Sequence, residues 1–302
     1  MTSAWEGSGG VEEQKPAQDK RRKRLVVCVD DFGLDGAIND SVFALAAQAR
    51  ISATSCLVDA PYWRADARRL VNECGQRLDI GLHLNLSEAF PHAPAGHRWA
   101  ALVVKAYARA LDRTALQAEI ERQFDVFQQA AGRAPDFVDG HRHVHQLPMV
   151  REALLDVLQR RGSRVWVRCT LPPKKAVAQP GKDRFKAAVI AALGGRRLKR
   201  LARERGLAQN RRMLGVYGFS GTEAAHQARL SAWLAAAGDG DLLMCHTALP
   251  GQVAPADPMA AARQLEHRLL AGDAFGRLLE AHNVQIEPLS VQISGRLGCN
   301  LI

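Results

Sequence analysis

The sequence predicts an α/β fold, a distorted (β/α) barrel of seven or eight mostly parallel strands in a single domain. Three observations predict it. Short apolar runs alternate with helix-like segments along most of the 302 residues, and strands buried on both faces read as continuous apolar runs. Repeated strand-then-helix units imply a parallel sheet, and seven or eight of them in about 270 residues favour a barrel over an open doubly wound sheet. Polar residues recur at the C-terminal ends of the apolar runs, which is where barrel active sites are found.

Residues 1–23 are polar or basic and read as a disordered tail, leaving 24–295 for the barrel. The start has no apolar h-region, and no apolar stretch approaches the ~20 residues of a membrane span. Six cysteines are scattered without a C-x-x-C pair, a pattern that suits a reducing, cytoplasmic setting better than a disulfide framework. The expected strands are 25–30, 52–58, 79–85, 136–141, 164–169, 213–219, 241–247 and 284–289. The expected helices are 38–50, 63–76, 114–132, 149–162, 184–205, 223–237 and 259–282. Thr114 with Gln117 suggests a capping box, with Gly132 after the last turn. Pro148 suits the start of the following helix and Gly162 its end. Two connections, 88–113 and 170–212, are longer than a barrel needs and read as lid-like insertions.

The polar strand ends carry the chemistry. The first strand ends in Asp30-Asp31, the third in His83-Leu84-Asn85, the fourth in Asp139-Gly140-His141, the fifth near Arg168 and the seventh at His246. A polar group in an apolar strand is costly unless it is paired or coordinating. Asp31, His83 and His141 would make a one-carboxylate, two-imidazole site for one divalent metal ion, with positions left open for water. Neighbouring strand residues diverge, so Asp30 is read as general base rather than ligand. His246 is the candidate acid for the leaving group. Arg168 is the candidate for holding the base or stabilising negative charge. In His141-Arg142-His143-Val144-His145, the first histidine lies closest to the strand end and is taken as the ligand. His143 and His145 remain open as substrate contacts, as fold supports or as the ligand itself. Asn85 shares a strand face with His83 and is a candidate to orient a ligand, water or substrate. Oxygen donors favour magnesium and imidazoles zinc; magnesium is preferred and zinc kept as the alternative.

These segments resemble a known family. Val29-Asp30-Asp31-Phe32-Gly33-Leu34 with Asn39 and Thr54-Ser55 is similar to the opening of the YdjC-like carbohydrate deacetylases (the ChbG/HpnK type). Gly81-Leu82-His83-Leu84 resembles the family's G-L-H-L block. Asp139-Gly140-His141-Arg142-His143-Val144-His145-Gln146-Leu147-Pro148 resembles its D-x-H-x-H-V-H-x-x-P block. Met244-Cys245-His246 and Arg263 to Glu266 are similar to its late blocks. The resemblance covers about residues 25–290 in order. It implies a distorted barrel and divalent-metal-dependent removal of an N-acetyl group from an amino sugar. It further implies Asp30 as base and Asp31, His83 and His141 as ligands. The chain departs from the pattern at Val29, at Leu34-Asp35, at Thr247 where the family has Pro, and at His267 where it has Leu.

Charge adds one local signal. The net charge is +10, yet residues 168–212 alone carry fourteen Lys and Arg against two acids. This segment reads as a solvated helix face, as a phosphate or nucleotide-sugar site, or as a peripheral membrane contact through 184–205. The last two imply an anionic or lipid-linked amino sugar. Nucleic acid is not expected, because interleaved aromatics and recognition motifs are absent. Two other functions stay open: a catalytically inactive sugar- or lipid-headgroup-binding barrel, and a metal-dependent phosphoesterase. An oligomer is compatible with the sequence.

Overall fold

The computed structural model describes residues 21–90, 98–162, 164–173, 181–251 and 257–298. Residues 1–20 of the expected tail (1–23), His92 and His97 in the first insertion, and Lys174-Lys175 in the second lie outside these residues; Lys23, the last residue of that tail, begins the first strand. The frame is one parallel sheet of β1 (Lys23–Phe32), β2 (Ala53–Cys56), β3 (Asp79–Leu84), β4 (Phe137–Gly140), β5 (Trp166–Val167), β6 (Met213–Leu214), β7 (Asp241–Cys245) and β8 (Val284–Ile286). Its order is β5-β4-β3-β2-β1-β7-β6, with β8 paired to the first residues of β1.

The barrel is distorted between β5 and β6, each only two residues long. No ladder joins them among the described residues. Instead Met213 N–H donates to Leu171 O at 2.8 Å and Val167 N–H to Ala208 O at 2.9 Å. The Asn210 side chain brackets Cys169, accepting from its N–H at 2.7 Å and donating to its carbonyl at 2.9 Å. One amide side chain thus satisfies backbone groups that a strand neighbour would otherwise pair.

Strand parity sorts the core. Leu25, Val27 and Val29 of β1 face the helices, within the large apolar cluster that also holds Leu82, Val138, Val167 and Leu243. Val26 and Cys28 face the barrel interior with Phe137, Trp166, Leu242 and Met244, where the Phe137 and Trp166 rings stack at 4.1 Å. Continuing the interior parity by one step reaches Asp30, His83, Asp139, Arg168 and His246. The middle of the barrel is therefore apolar, and one end is ringed with polar groups.

The surrounding helices are α1 (Gly36–Ala47), α2 (Trp63–Cys74), α3 (Trp99–Tyr107), α4 (Arg113–Ala131), α5 (Val150–Arg160), α6 (Gly181–Ile190), α7 (Arg196–Glu204), α8 (Glu223–Ala236), α9 (Ala260–Ala271), α10 (Asp273–Ala281) and α11 (Leu289–Gly298). Five differ from the sequence expectation. The first insertion contains α3 and α11 follows β8, and the pattern revealed neither helix. The cap of α4 is Asp112, whose carboxylate accepts from Thr114 and Ala115 N–H, rather than a Thr114–Gln117 box. The expected helix 259–282 breaks at Gly272, which is extended (φ −75°, ψ 155°). The expected helix 184–205 breaks at a π turn, Ala191–Gly195. There Gly194 has φ +129°, and a Cβ on it would sit 2.1 Å from the Gln146 carbonyl. Only glycine lets the chain pass this close to the loop after β4.

Candidate metal centre and its cavity

A cavity of about 780 Å³ opens at the polar end of the barrel. Asp30, Asp31, His83, His141, His143 and His246 all line it. Ligand atoms of Asp31, His83 and His141 lie within 4.8 Å of one another.

Asp31 reaches the cavity through a backbone irregularity. By parity it belongs on the helix-facing side of β1. The register against β2 slips between Val29 and Phe32, and Asp31 sits at φ +70°, a left-handed conformation that only short polar side chains adopt with any ease. The bulge turns Asp31 inward beside Asp30. The divergence expected for adjacent strand residues does not hold here. What separates the two carboxylates is their partners. Asp30 accepts from both terminal guanidinium nitrogens of Arg168, Nη2 at 2.6 Å and Nη1 at 2.7 Å. Asp31 Oδ2 accepts from Arg263 Nη2 at 2.7 Å. Asp31 Oδ1 faces His141 Nδ1 at 3.1 Å and His83 Nε2 at 3.5 Å. Burial pushes the Asp31 carboxyl up, but Arg263 and the two imidazoles outweigh it and hold the group well below the usual carboxylate range.

His83 is oriented from behind. Its Nδ1 lies 2.6 Å from Asp139 Oδ1, the residue facing it across the β3–β4 ladder. Ser55 Oγ donates to the same carboxylate oxygen at 2.5 Å. A carboxylate on one ring nitrogen fixes the tautomer and leaves the other nitrogen for a cation. Against the pull of burial, Asp139 and Asp31 raise His83 to about 10. Asp31 and Glu88 likewise raise His141 above its ordinary value. Glu88 Oε1 lies 3.5 Å from His141 Nε2.

The three alternating histidines do not form a strand. His141–Gln146 is a 3₁₀ turn in which Arg142 (φ 51°) and His143 (φ 60°) are left-handed. The coil sends the three rings different ways. His141 meets Asp31, and its ring stands edge-on to His83 at 5.4 Å. His143 lines the cavity without joining that group. His145 is fully buried, with Nε2 3.1 Å from the Arg168 carbonyl, and does not line the cavity. Its open role as a substrate contact gives way to support of the fold. Asn85 is also corrected. Its side chain closes its own loop, accepting from Ser87 and Glu88 N–H and donating to Glu88 O, so it turns away from His83. Arg168, at 1% exposure, contacts Asp30 and Asp139 and is no wall of the cavity. It clamps the Asp30 carboxylate from behind the cavity, a geometry that favours holding a carboxylate over direct charge stabilisation, the other role considered for it.

His246 presents its ring to the cavity, edge-on to Phe219 at 5.1 Å. Its Nδ1 is buried without a hydrogen-bond partner among the described residues. Burial lowers it to about 4, so the imidazole is neutral near pH 7. Its backbone N–H donates to Glu266 Oε2 at 2.8 Å, and Glu266 Oε1 accepts from the Tyr217 hydroxyl at 2.6 Å. Thr247 and His267, two departures from the family pattern, meet at one hydroxyl. Ser41 Oγ lies 2.7 Å from Thr247 Oγ1 and 2.7 Å from His267 Nδ1. This triad anchors the chain immediately after His246.

Sequence reasoning passed over Asp139, Glu88, Arg263 and Glu266 as site residues. Asp139 carried a signal, since it precedes His141 by two on the interior parity. Arg263 and Glu266 carried only their likeness to a late family block, because charged residues three apart on an amphipathic helix ordinarily face water.

The donor set fits a divalent cation. One carboxylate and two imidazoles converge, and the remote atoms of Asp31 and His83 are already held by Arg263 and Asp139.

Comparisons with known proteins agree with this architecture. A family model described as YdjC-like protein matches residues 24–281. A carbohydrate deacetylase of Mus musculus is 34% identical over 158 residues, 47% of this chain and 49% of that protein. A chitooligosaccharide deacetylase of Serratia marcescens is 31% identical over 141 residues, 42% of this chain and 53% of that protein. The matches thus span about half the length of these curated relatives. A solved structure from Enterococcus faecalis V583, named as a candidate cellobiose-phosphate cleavage protein, superposes with a TM-score of 0.64 at 17% identity. It covers 90% of this chain and 99% of that one, and shares the fold.

Proposed function

Because the chain belongs to the YdjC-like protein family, we propose that it is a divalent-metal-dependent hydrolase that removes the N-acetyl group of an amino sugar. The observation that carries this reading is the pair Asp30-Asp31. Both carboxylates line one cavity, one held by Arg168 and the other facing two imidazoles. A binding module has no use for a buried carboxylate held apart from a ligand set. The deacetylase names of the mouse and Serratia relatives point the same way.

Asp31, His83 and His141 would hold the ion. When bound, a divalent cation polarises a carbonyl and makes a water acidic enough to be deprotonated near neutral pH. The rest is the work of this chain's residues. Asp30, clamped by Arg168, takes a proton from the water whose oxygen attacks the acetamide carbon. His246 starts the cycle neutral, and the negative charge that develops on the carbonyl oxygen raises its basicity. It takes up a proton from solvent at that point and gives it to the departing nitrogen, the C–N bond breaks, and Asp30 and the newly formed acetic acid release their protons to solvent, leaving acetate and the free amine. Magnesium is the ion we assign, and zinc is the alternative that the two imidazoles favour.

The test is acetate release from free, nucleotide-linked and lipid-linked N-acetylated amino sugars, with added magnesium or zinc and an Asp30→Asn control. Metal-dependent release that disappears in the control supports the assignment. No release from any sugar, with metal bound, removes it.

A further inference from the structure

Part of the cavity lining is apolar, broken on α6 by Lys186, and it continues onto the surface. Trp99 of α3 and Val189, Ile190 and Leu193 of the α6 segment line the cavity. On the same two elements lie four of the six large apolar side chains that are exposed among the described residues: Phe185 at 71%, Val104 at 66%, Tyr107 at 50% and Val189 at 42%. Phe185, Ala188, Val189 and Ala192 are all exposed and fall at the i, i+3, i+4, i+7 spacing of one helical stripe. Tyr107 joins the two elements, its hydroxyl 3.5 Å from the Ala192 carbonyl. The stripe is an amphipathic helix whose apolar side faces outward at the mouth of the cavity.

Exposed cations flank it along the chain. Lys182 and Arg184 precede the stripe, and Lys105 and Arg109 stand on and after α3. α7 buries Leu198, Leu201 and Ala202 and turns Arg196, Arg197, Arg200 and Arg203 to solvent. Of these eight cations, only Arg200 has an ion-pair partner among the described residues, Glu204 at 3.6 Å. A second copy of the chain would bring the same cations against these. The surface that complements an apolar stripe flanked by positive charge is negatively charged at the level of the cations and apolar beneath. Among the described residues, no helix is long and apolar enough to cross a membrane, so such contact would be peripheral.

We propose that the α3–α6–α7 face docks on an anionic lipid bilayer, with Phe185 and Val104 entering the interface, and that the amino sugar received by the cavity is carried on a lipid. The second half rests on the deacetylase reading above; the docking does not. Aromatic and aliphatic side chains at the headgroup boundary together with cations above them are what hold an interfacial helix.

The experiment is co-sedimentation of the full chain with vesicles of phosphatidylcholine and phosphatidylglycerol, with pure phosphatidylcholine vesicles as control. Binding is expected to the anionic vesicles and to weaken with salt. Arg196→Gln with Arg197→Gln should lower it roughly thirtyfold, at about fivefold per cation near an anionic surface. Phe185→Asp with Val104→Asp should abolish it while leaving acetate release from a free N-acetylated amino sugar unchanged, since neither side chain lines the cavity. Release from a lipid-linked amino sugar in the same vesicles should fall in that variant. No sedimentation with anionic vesicles, or sedimentation indifferent to both double variants, overturns the docking. So does a dimer in solution that Phe185→Asp with Val104→Asp dissolves. Vesicle binding with no acetate release from any sugar would remove the deacetylase reading and leave the docking face standing.

Discussion

Asp30 and Asp31 are chemically identical neighbours that their surroundings make different. Asp30 is paired end-on with Arg168, and Asp31 shares its oxygens between Arg263 and two imidazoles. Asp30→Asn should therefore lower turnover by roughly 10²–10⁴, the usual contribution of a general base, while metal stoichiometry by elemental analysis stays unchanged. Near-normal turnover would remove Asp30 as base. His141→Ala should lower metal affinity and His145→Ala should not, because only His141 meets Asp31. Isothermal titration of the two variants checks this, and an equal loss in both would reassign the ligand. Arg168→Leu takes from Asp30 and Asp139 the buried guanidinium that they share. Removing one partner from a buried pair costs ~3–5 kcal/mol, so chemical denaturation should show a loss of that order, and a loss below ~1 kcal/mol would show that the clamp is dispensable.

Among the elements, β1 sets the active end of the barrel because its last turn is irregular. A regular strand would send Asp30 inward and Asp31 toward the helices, and the Asp31–His83–His141 set would not form. The slip against β2 and the left-handed Asp31 bring both to one cavity. The turn after β4 works in the same manner, spending two left-handed residues to point His141 at Asp31 and bury His145. Helix ends obey ordinary capping chemistry away from the site. Asp112 satisfies two N–H groups at the start of α4, so Asp112→Ala should cost ~1 kcal/mol and lower the melting temperature by about 2 °C. No measurable change would mean that packing against α5 and α2 alone sets the stability of this helix.

For the whole molecule, the polar end of the barrel is electrostatically committed before any cation binds. Asp139 and Asp31 raise His83 to about 10, and Asp31 and Glu88 raise His141. A histidine whose folded pKa is raised stabilises the fold fully below its unfolded value of about 6.5. That stabilisation is lost as pH rises from the unfolded value through the folded one, because over that window the folded state binds more protons than the unfolded one. Chelator-treated protein should lose stability between about pH 6.5 and 10. Metal binding needs the neutral imidazoles and displaces these protons, so apparent metal affinity should rise over the same window. Melting curves with chelator and with excess magnesium or zinc should diverge as pH increases; parallel curves would show that no cation occupies this site.

Much of this was legible in one dimension. Every strand appears where an apolar run lies, because a strand buried on both faces needs one. The polar residues that end those runs occupy one layer, because side chains two apart share a face. Asp30, His83, Asp139, Arg168 and His246 follow from that parity alone. Strand ends and long helices were less legible. Gly272 and the Gly194 turn break helices for reasons of approach to neighbours, which local propensity does not contain. By itself the sequence determined the parallel barrel, the end of it that carries chemistry and the identity of the convergent ligand types, since period and composition encode burial directly. Only the tertiary structure decided that Asp31 turns inward, that His141 rather than His145 meets it, and that Arg263 arrives from α9 some 232 residues later to hold it. Those outcomes depend on positive backbone angles and on contacts between elements distant in the chain, and neither leaves a periodic trace in the residues themselves.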